Sequence, residues 1–301
     1  MKRFLTAFYI LTFASIATMC AQESQTLYNF LRLPVSAHAA ALGGDNTTLI
    51  EDDASLTFHN PALLSSVSDK TIGFNFMTYM SGSMAASASF NRNIGEKISW
   101  AVSGQFINYG TMRQTDANNQ QTGEFSAKDI AVSGHFSYML GSRIAGGIAA
   151  RFITSYIGDY NSLAMGVDLG LNYYDPDTEW SVSAVARNLG GQLKAYDDDF
   201  ENMPFRLSAT LVDLNHWNYN FINHLVLGVD AVISESIWIG GGYNFRRAHD
   251  MKIESADGKS SHGAGLSFGA GLNLSRVKIN LAYGKYHVSS SSIVLNAAFN
   301  L

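Results

Sequence analysis

Residues 291–301 read Ser-Ser-Ile-Val-Leu-Asn-Ala-Ala-Phe-Asn-Leu. In an extended chain successive side chains point to opposite faces. Ile293, Leu295, Ala297, Phe299 and Leu301 then share one face, and Ser292, Val294, Asn296, Ala298 and Asn300 the other. Upstream, Val277, Ile279, Leu281 and Tyr283 alternate with Arg276, Lys278, Asn280 and Ala282. Ile98, Trp100, Val102, Gly104 and Phe106 alternate in the same way with Lys97, Ser99, Ala101, Ser103 and Gln105. Period two, with one apolar and one polar or small face, is the signature of β-strands buried on one side only.

The period recurs along most of the chain. It predicts strands near 71–80, 83–92, 97–109, 125–140, 142–157, 161–174, 178–188, 204–213, 225–233, 236–246, 261–273, 276–286 and 291–301. Many reach the ~9–11 residues of a tilted membrane strand, beyond the ~5–6 usual in soluble sandwiches. Asp129, Arg143, Arg151, Asp168, Arg187, Arg206, Asp230, Arg276 and Lys278 fall on the phase opposite the apolar face, and Arg92 and Asp213 break the rule at strand ends. Lipid outside and a polar lumen inside require this placement. Tyr79, Tyr156, Tyr173 and Tyr283 lie near strand ends, as aromatic girdles do. The expected fold is all-β: a transmembrane antiparallel β-barrel in the outer membrane of a Gram-negative bacterium, with outer-membrane lipid around it. Single-chain bacterial barrels have an even number of strands. Parity therefore asks for a short extra strand at Trp217, Tyr219 and Phe221, which makes about fourteen.

Composition agrees. The 301 residues include 27 Gly and only 4 Pro, and 15% are charged, against roughly 25% in an average soluble domain. A mean hydropathy of +0.01 excludes a bundle of membrane helices, and a formal charge of −5 speaks against a nucleic-acid binder. Lys2 and Arg3 precede an uncharged apolar run from Phe4 to Met19, the pattern of a signal peptide over 1–21 with cleavage near Cys20 or Ala21. Cys20 is the only cysteine, so the mature chain would have neither a disulfide nor a thiolate metal site.

Between the leader and the barrel at 71–301, residues 22–70 are turn-rich. They hold Ala39-Ala40-Ala41-Leu42-Gly43-Gly44, Glu51-Asp52-Asp53 and His59-Asn60-Pro61-Ala62-Leu63-Leu64. This segment is expected to form a hatch in the lumen or a periplasmic arm. Its Gly-Gly pair, acidic run and Asn-Pro-Ala-Leu resemble the N-terminal hatch of the long-chain fatty-acid transporter superfamily, whose members are fourteen-stranded outer-membrane barrels. The corresponding hatch-motif residues are Gly43, Gly44, Asp52, Asp53, Asn60 and Pro61.

A closer resemblance, over nearly the whole mature chain, is to the PorQ family of the type IX secretion system of Bacteroidetes. It is carried by Tyr28 to Ala37 through Asn60 to Leu64, by Asn188 to Lys194, by Gly242 to Arg247, and by Tyr286-His287-Val288. The stretch from Phe200 to Trp217 is shorter than that pattern expects. The resemblance implies a non-enzymatic barrel that anchors an attachment complex at the cell surface. The implied partners are a sortase-like peptidase, a second transporter-like barrel and a lipopolysaccharide-binding protein.

The residues add little chemistry of their own. The 8 His show neither zinc spacing nor pairs two apart on a strand, so no metal and no cofactor is expected. Asp197-Asp198-Asp199 with Glu201 lacks the spacing of an EF-hand loop and is read as solvated. Glu51-Asp52-Asp53 is similarly read as exposed, with a plug contact to lumenal Arg151 or Arg187 as the alternative. Gly240-Gly241-Gly242 and Gly263-Ala264-Gly265 lie in strands with no helix behind them to cradle a phosphate. No Ser, His and acid stand out as a catalytic set. Against the attachment role stands a passive transporter of a hydrophobic small molecule. That function needs an apolar pocket under the hatch, an opening in the wall, and Gly or Pro kinks to make it.

Overall fold

The computed structural model describes residues 26–197, 199–209, 220–234, 236–255, 258–260 and 263–301. The leader expected over 1–21 lies outside them. The strands are β1 (Thr71–Thr78), β2 (Met84–Ile94), β3 (Ile98–Thr115), β4 (Gln121–Met139), β5 (Ile144–Ile157), β6 (Tyr160–Asp175), β7 (Trp180–Lys194), β8 (Arg206–Ala209), β9 (Val226–Ser234), β10 (Ile237–Asn244), β11 (Ile253–Ser255), β12 (Gly258–Ser260), β13 (Leu266–Asn273), β14 (Val277–His287) and β15 (Ser290–Asn300). All but β11 and β12, which form a hairpin, belong to one 13-stranded antiparallel sheet. The sheet curls into a barrel in which β1 pairs with β15, Thr71 opposite Asn300 and Met77 opposite Val294.

The two faces obey the solvent on each side. Phe74, Val102, Val132, Phe136, Ile148, Phe152, Leu171, Phe268 and Leu281 stand exposed on the outer wall. Their neighbours in the opposite phase, including Ser103, Ser133, Arg151, Asp168, Asn172, Ser183, Arg187 and Asn280, are buried in the lumen. A lipid-facing wall needs no polar partners, whereas the lumen must pair its own polar groups.

Among the described residues every strand predicted from the period is present, many with shifted ends; positions 210–213 and 261–262 of the predicted strands lie outside the described residues. β3 and β4 run to Thr115 and from Gln121, so the expected loop at 110–124 shrinks to a turn at the end of a tall hairpin. The expected strand over 236–246 stops at Asn244, where the short helix α2 (Phe245–Asp250) begins. Asn244 caps it by accepting a hydrogen bond from Arg247 N at 2.9 Å. Of the extra strand expected at Trp217 to Phe221, residues 210–219 lie outside the described residues, and Phe221–His224 is a 3-10 turn. The registers of β7–β8 and β9–β10 show that β8 and β9 run in the same direction, and these two are the edges of the sheet.

Residues 28–67 fill the lumen. The helix α1 (Ala37–Ala41) starts at Ser36, whose hydroxyl accepts from Ala39 N at 3.2 Å. It ends at Gly43 and Gly44 with φ of +111° and +93°, a geometry that favours glycine, and Gly44 N bonds back to Ala39 O at 2.7 Å. Asp53 caps the 3-10 turn Ala54–Phe58. Asn60 caps Pro61–Ser66, accepting from Ala62 N at 2.9 Å, with Pro61 at the first position, where its missing N–H costs nothing. The wall yields space where this last turn touches it. A Cβ on Gly147 would lie 2.3 Å from Ala62 N, and one on Gly170 would lie 2.1 Å from Asn60 Oδ1.

Backbone cannot yield as a flexible side chain can, so Gly147→Val should expel the Pro61–Ser66 turn. The expected cost is about 1–3 kcal/mol, the range for overpacking a filled interior. Thermal unfolding of the purified barrel measures it, and limited proteolysis should cut the variant first within residues 45–67.

Candidate functional site

The hatch is held to the wall by charge. Asp45, four residues beyond the last residue of α1, places Oδ1 2.8 Å from Arg206 Nη1 and 4.0 Å from Arg187 Nη2. Its Oδ2 accepts from Asn244 Nδ2 at 3.1 Å. Burial alone would raise the Asp45 pKa, but Arg206 and then Arg187 hold the carboxyl well below its usual range. Arg247 donates from Nη1 to Gly43 O at 3.1 Å and from Nε to Ala264 O at 2.6 Å, and packs over the Tyr286 ring.

A second contact centres on His38, buried and stacked 3.7 Å from the Trp238 ring of β10. Its Nδ1 lies 2.6 Å from Glu51 Oε1 in the hatch and its Nε2 lies 3.1 Å from Asp230 Oδ2 on β9. Burial lowers the His38 pKa, yet Glu51, followed by Asp230, more than offsets this and raises it above 6.5. A third contact joins Asp52 to Lys278 of β14 at 2.5 Å, near the end where the chain leaves the hatch for β1. His59, also buried, is pushed down to about 3 by burial and then by Arg187, and stays neutral.

These contacts distribute the expected site residues. Gly43 and Gly44 end α1, Asp52 pairs with Lys278, Asp53 accepts from Ser55 and Ser36, and Asn60 and Pro61 seat the last turn against Gly147 and Gly170. The possible pairing of Glu51-Asp52-Asp53 with Arg151 or Arg187 is not made. Arg151 bonds Asp168 at 2.9 Å, both on the wall, and Asp45 takes Arg187 instead. Asp230 is placed on the lumenal phase by sequence, whereas Asp45, His38 and Trp238 are not singled out by it. The one local hint was Asp45 directly after the Gly-Gly pair.

Two spaces border the hatch. One is a narrow apolar cleft of about 30 Å³ between Phe30, Leu33, Pro34 and Val35 and the wall of β1–β3. Its lining includes inward-facing Met77 and Ala85 and outward-facing Phe76, Ala86 and Phe106. It therefore lies in the plane of the wall, where β2 carries the small residues Ala85, Ala86 and Ser87. The other is a cavity of about 260 Å³ lined by Arg32, Arg206, Arg246, Arg247, Tyr79 and Tyr286, among others. Among the described residues no group of three or more His, Cys, Asp or Glu is placed to hold a metal ion. Ser103 Oγ lies 2.8 Å from His135 Nε2, but His135 Nδ1 has no acid behind it to orient the ring as a base.

No family model matches the chain, and no curated protein matches it. Solved structures do. The ΔS2 mutant of the TodX monoaromatic hydrocarbon channel shares 12% identity with a TM-score of 0.53, covering 87% of this chain and 97% of that one. A second, larger deletion mutant of TodX shares 14% identity with a TM-score of 0.52, over 88% of this chain and 97% of that one. The toluene transporter TodX of Pseudomonas putida itself aligns at 12% identity and a TM-score of 0.49, over 88% and 97%.

These matches correct the reading as a PorQ-type component of the type IX secretion system. The two matches with a TM-score above 0.5 are forms of a monoaromatic hydrocarbon channel, and neither an attachment complex nor a sortase-like, second-barrel or lipopolysaccharide-binding partner is one of them. The physical reason lies in the residues that carried the resemblance. Tyr28, Phe30 and Leu31 pack with wall residues Ile107 and Ile153, Asn60 and Pro61 seat a turn, Asn188 bonds Arg151, and Arg247 holds Gly43. Such residues report a barrel closed by a hatch rather than an assembly at the cell surface. The chain is an outer-membrane β-barrel of the fold seen in those hydrocarbon channels.

His38 yields a pH prediction. A histidine whose folded pKa is raised contributes stability in full below its unfolded value, and that contribution fades as pH rises through the folded value. The thermal stability lost on His38→Gln should be largest below pH 6.5 and shrink as the pH is raised above it. Breaking the buried Asp45 contact by Asp45→Asn should cost about 3–5 kcal/mol near neutrality, measured by denaturant unfolding.

Proposed function

We propose that the chain is a passive outer-membrane channel for small hydrophobic molecules. The observation that carries this reading is the apolar cleft of Phe30, Leu33, Pro34, Val35, Met77 and Ala85, set between hatch and wall where both faces of β1–β3 contribute. An apolar molecule loses its hydration cost on entering such a cleft, and no energy source is needed for it to move down its gradient. The fold shared with hydrocarbon channels supports the reading.

At about 30 Å³ the cleft holds roughly a single water's volume, so passage requires Leu33, Pro34 and Val35 to move off β2. Leu33 closes the 3-10 turn Asn29–Arg32 by donating from its N–H to Phe30 O at 3.1 Å, and Pro34 and Val35 lie between that turn and α1, outside both. On this reading the leader spans 1–21, the hatch 22–70 and the barrel 71–301. The hatch motif of Gly43, Gly44, Asp52, Asp53, Asn60 and Pro61 then keeps the rest of the hatch seated while the upper part shifts.

Ala85→Phe should fill the cleft and reduce uptake of a radiolabelled neutral hydrocarbon across intact outer membranes about tenfold, because a packed site has no spare room for the added ring. Val132→Phe, on the lipid face of β4, should leave uptake unchanged. Equal uptake by cells with and without the wild-type chain would reject the proposal.

A further inference from the structure

The larger cavity is not used by the proposed passage of apolar molecules. It opens at the end of the barrel where β1 meets β2 and β14 meets β15, since Tyr79, His287 and Val288 line it. Guanidinium groups reach it from three separate bodies: Arg32 from the hatch, Arg206 from β8, and Arg246 and Arg247 from α2. The carboxylates at its edge are tied, Asp45 by Arg206 and Asn244 and Asp250 by Arg246 at 3.1 Å. Arg247 spends its described hydrogen bonds on the carbonyls of Gly43, Ala264, Gly265 and Leu266, so no carboxylate is used to fix its charge in place. Leu33, Tyr79, Met251 and Val288 give the same cavity an apolar side.

We propose that this cavity binds a phosphate group, as free phosphate or as the headgroup of a phosphorylated amphiphile. A carboxylate offers two charged oxygens in one plane, and the carboxylate already at the edge of the cavity, Asp45, is served by Arg206 and Asn244. A phosphate offers three charged oxygens in a tetrahedral array, a geometry that suits arginines arriving from three directions. A guanidinium carries five donors, so an arginine held by one carboxylate can also serve a second acceptor. At about 260 Å³ the cavity has room for a phosphate with a short hydrocarbon chain resting on Leu33 and Met251.

The test is titration calorimetry on the full chain in a neutral detergent, with hexyl phosphate, hexanoate, hexanol and inorganic phosphate as probes. Hexyl phosphate should bind at least about tenfold more tightly than hexanoate, and hexanol should give no saturable heat. Inorganic phosphate should compete with it. Weaker binding of inorganic phosphate than of hexyl phosphate assigns the site to a headgroup, and equal binding assigns it to the free ion. Arg246→Gln and Arg32→Gln should each weaken binding about tenfold, with Arg246→Lys intermediate because it keeps the charge and loses the fork. Equal binding of hexanoate and hexyl phosphate would overturn the proposal. So would hexyl phosphate affinity unchanged in both glutamine variants that still unfold cooperatively. Binding here is read in detergent without transport, so it stands or falls separately from hydrocarbon uptake.

Discussion

The carboxylate of Asp45 sits where the sheet has its two edges. On one side it meets Arg206 of β8 and approaches Arg187 of β7, and on the other it meets Asn244 at the end of β10. Nearby contacts repeat the pattern. Thr47 donates to Ala209 O on β8 at 3.3 Å, while His38 reaches Asp230 on β9 and Leu42 lies against Gly228 and Gly242 of β9 and β10. Among the described residues, backbone pairing joins every other neighbour in the sheet, and at this place side chains from the hatch reach both edges. A charge held between arginines in a lumen shielded from bulk water is far stronger than the same pair at a surface, and the loss of one member leaves a buried charge behind.

The remainder of the interior follows from that arrangement. A barrel of this size leaves a lumen wider than its own inward side chains can fill, and the hatch supplies the missing volume. The wall accommodates it by shrinking: Gly147 and Gly170 under the Pro61–Ser66 turn, and Gly242 under Leu42. Polar wall residues then pair among themselves where the hatch does not reach, as Arg151 does with Asp168 and Asn188. Two of the spaces that survive border the hatch. One is apolar and thin beside β2, and the other is wide and lined by arginine near the mouth. Their opposite chemistry suits different molecules.

The barrel was legible because its signal is local. Alternation such as Ile279, Leu281 and Tyr283 against Lys278, Asn280 and Ala282 needs only neighbours in sequence, and lipid on one side enforces it. The hatch is legible as a turn-rich stretch that breaks the alternation and through the resemblance of its Gly43-Gly44, acidic run and Asn60-Pro61. Its partners were not readable, since Lys278 and Asp52 are 226 residues apart and no period connects them. The acidic run Glu51-Asp52-Asp53 drew attention by its density, whereas the single Asp45 makes the stronger contact. The helix α2 was hidden because Gly242-Tyr243-Asn244-Phe245 continues the alternation of β10 past the point where Asn244 caps a helix. The resemblance to an attachment component misled for a related reason: the matched residues build the hatch, and a hatch can close barrels of different function.

The order of residues along the chain gives the seam a consequence for biogenesis. The hatch precedes the barrel in the chain and ends at its centre, while β13 and β14, late in the chain, carry Ser267 and Lys278 back to Ala41 and Asp52. Closing such distant contacts costs entropy that only many simultaneous contacts repay. A cylinder completed first and stoppered later would form its last strands without those contacts. Winding the wall around its own N-terminal segment lets each contact form as its strand is added, with the stopper serving as the mandrel.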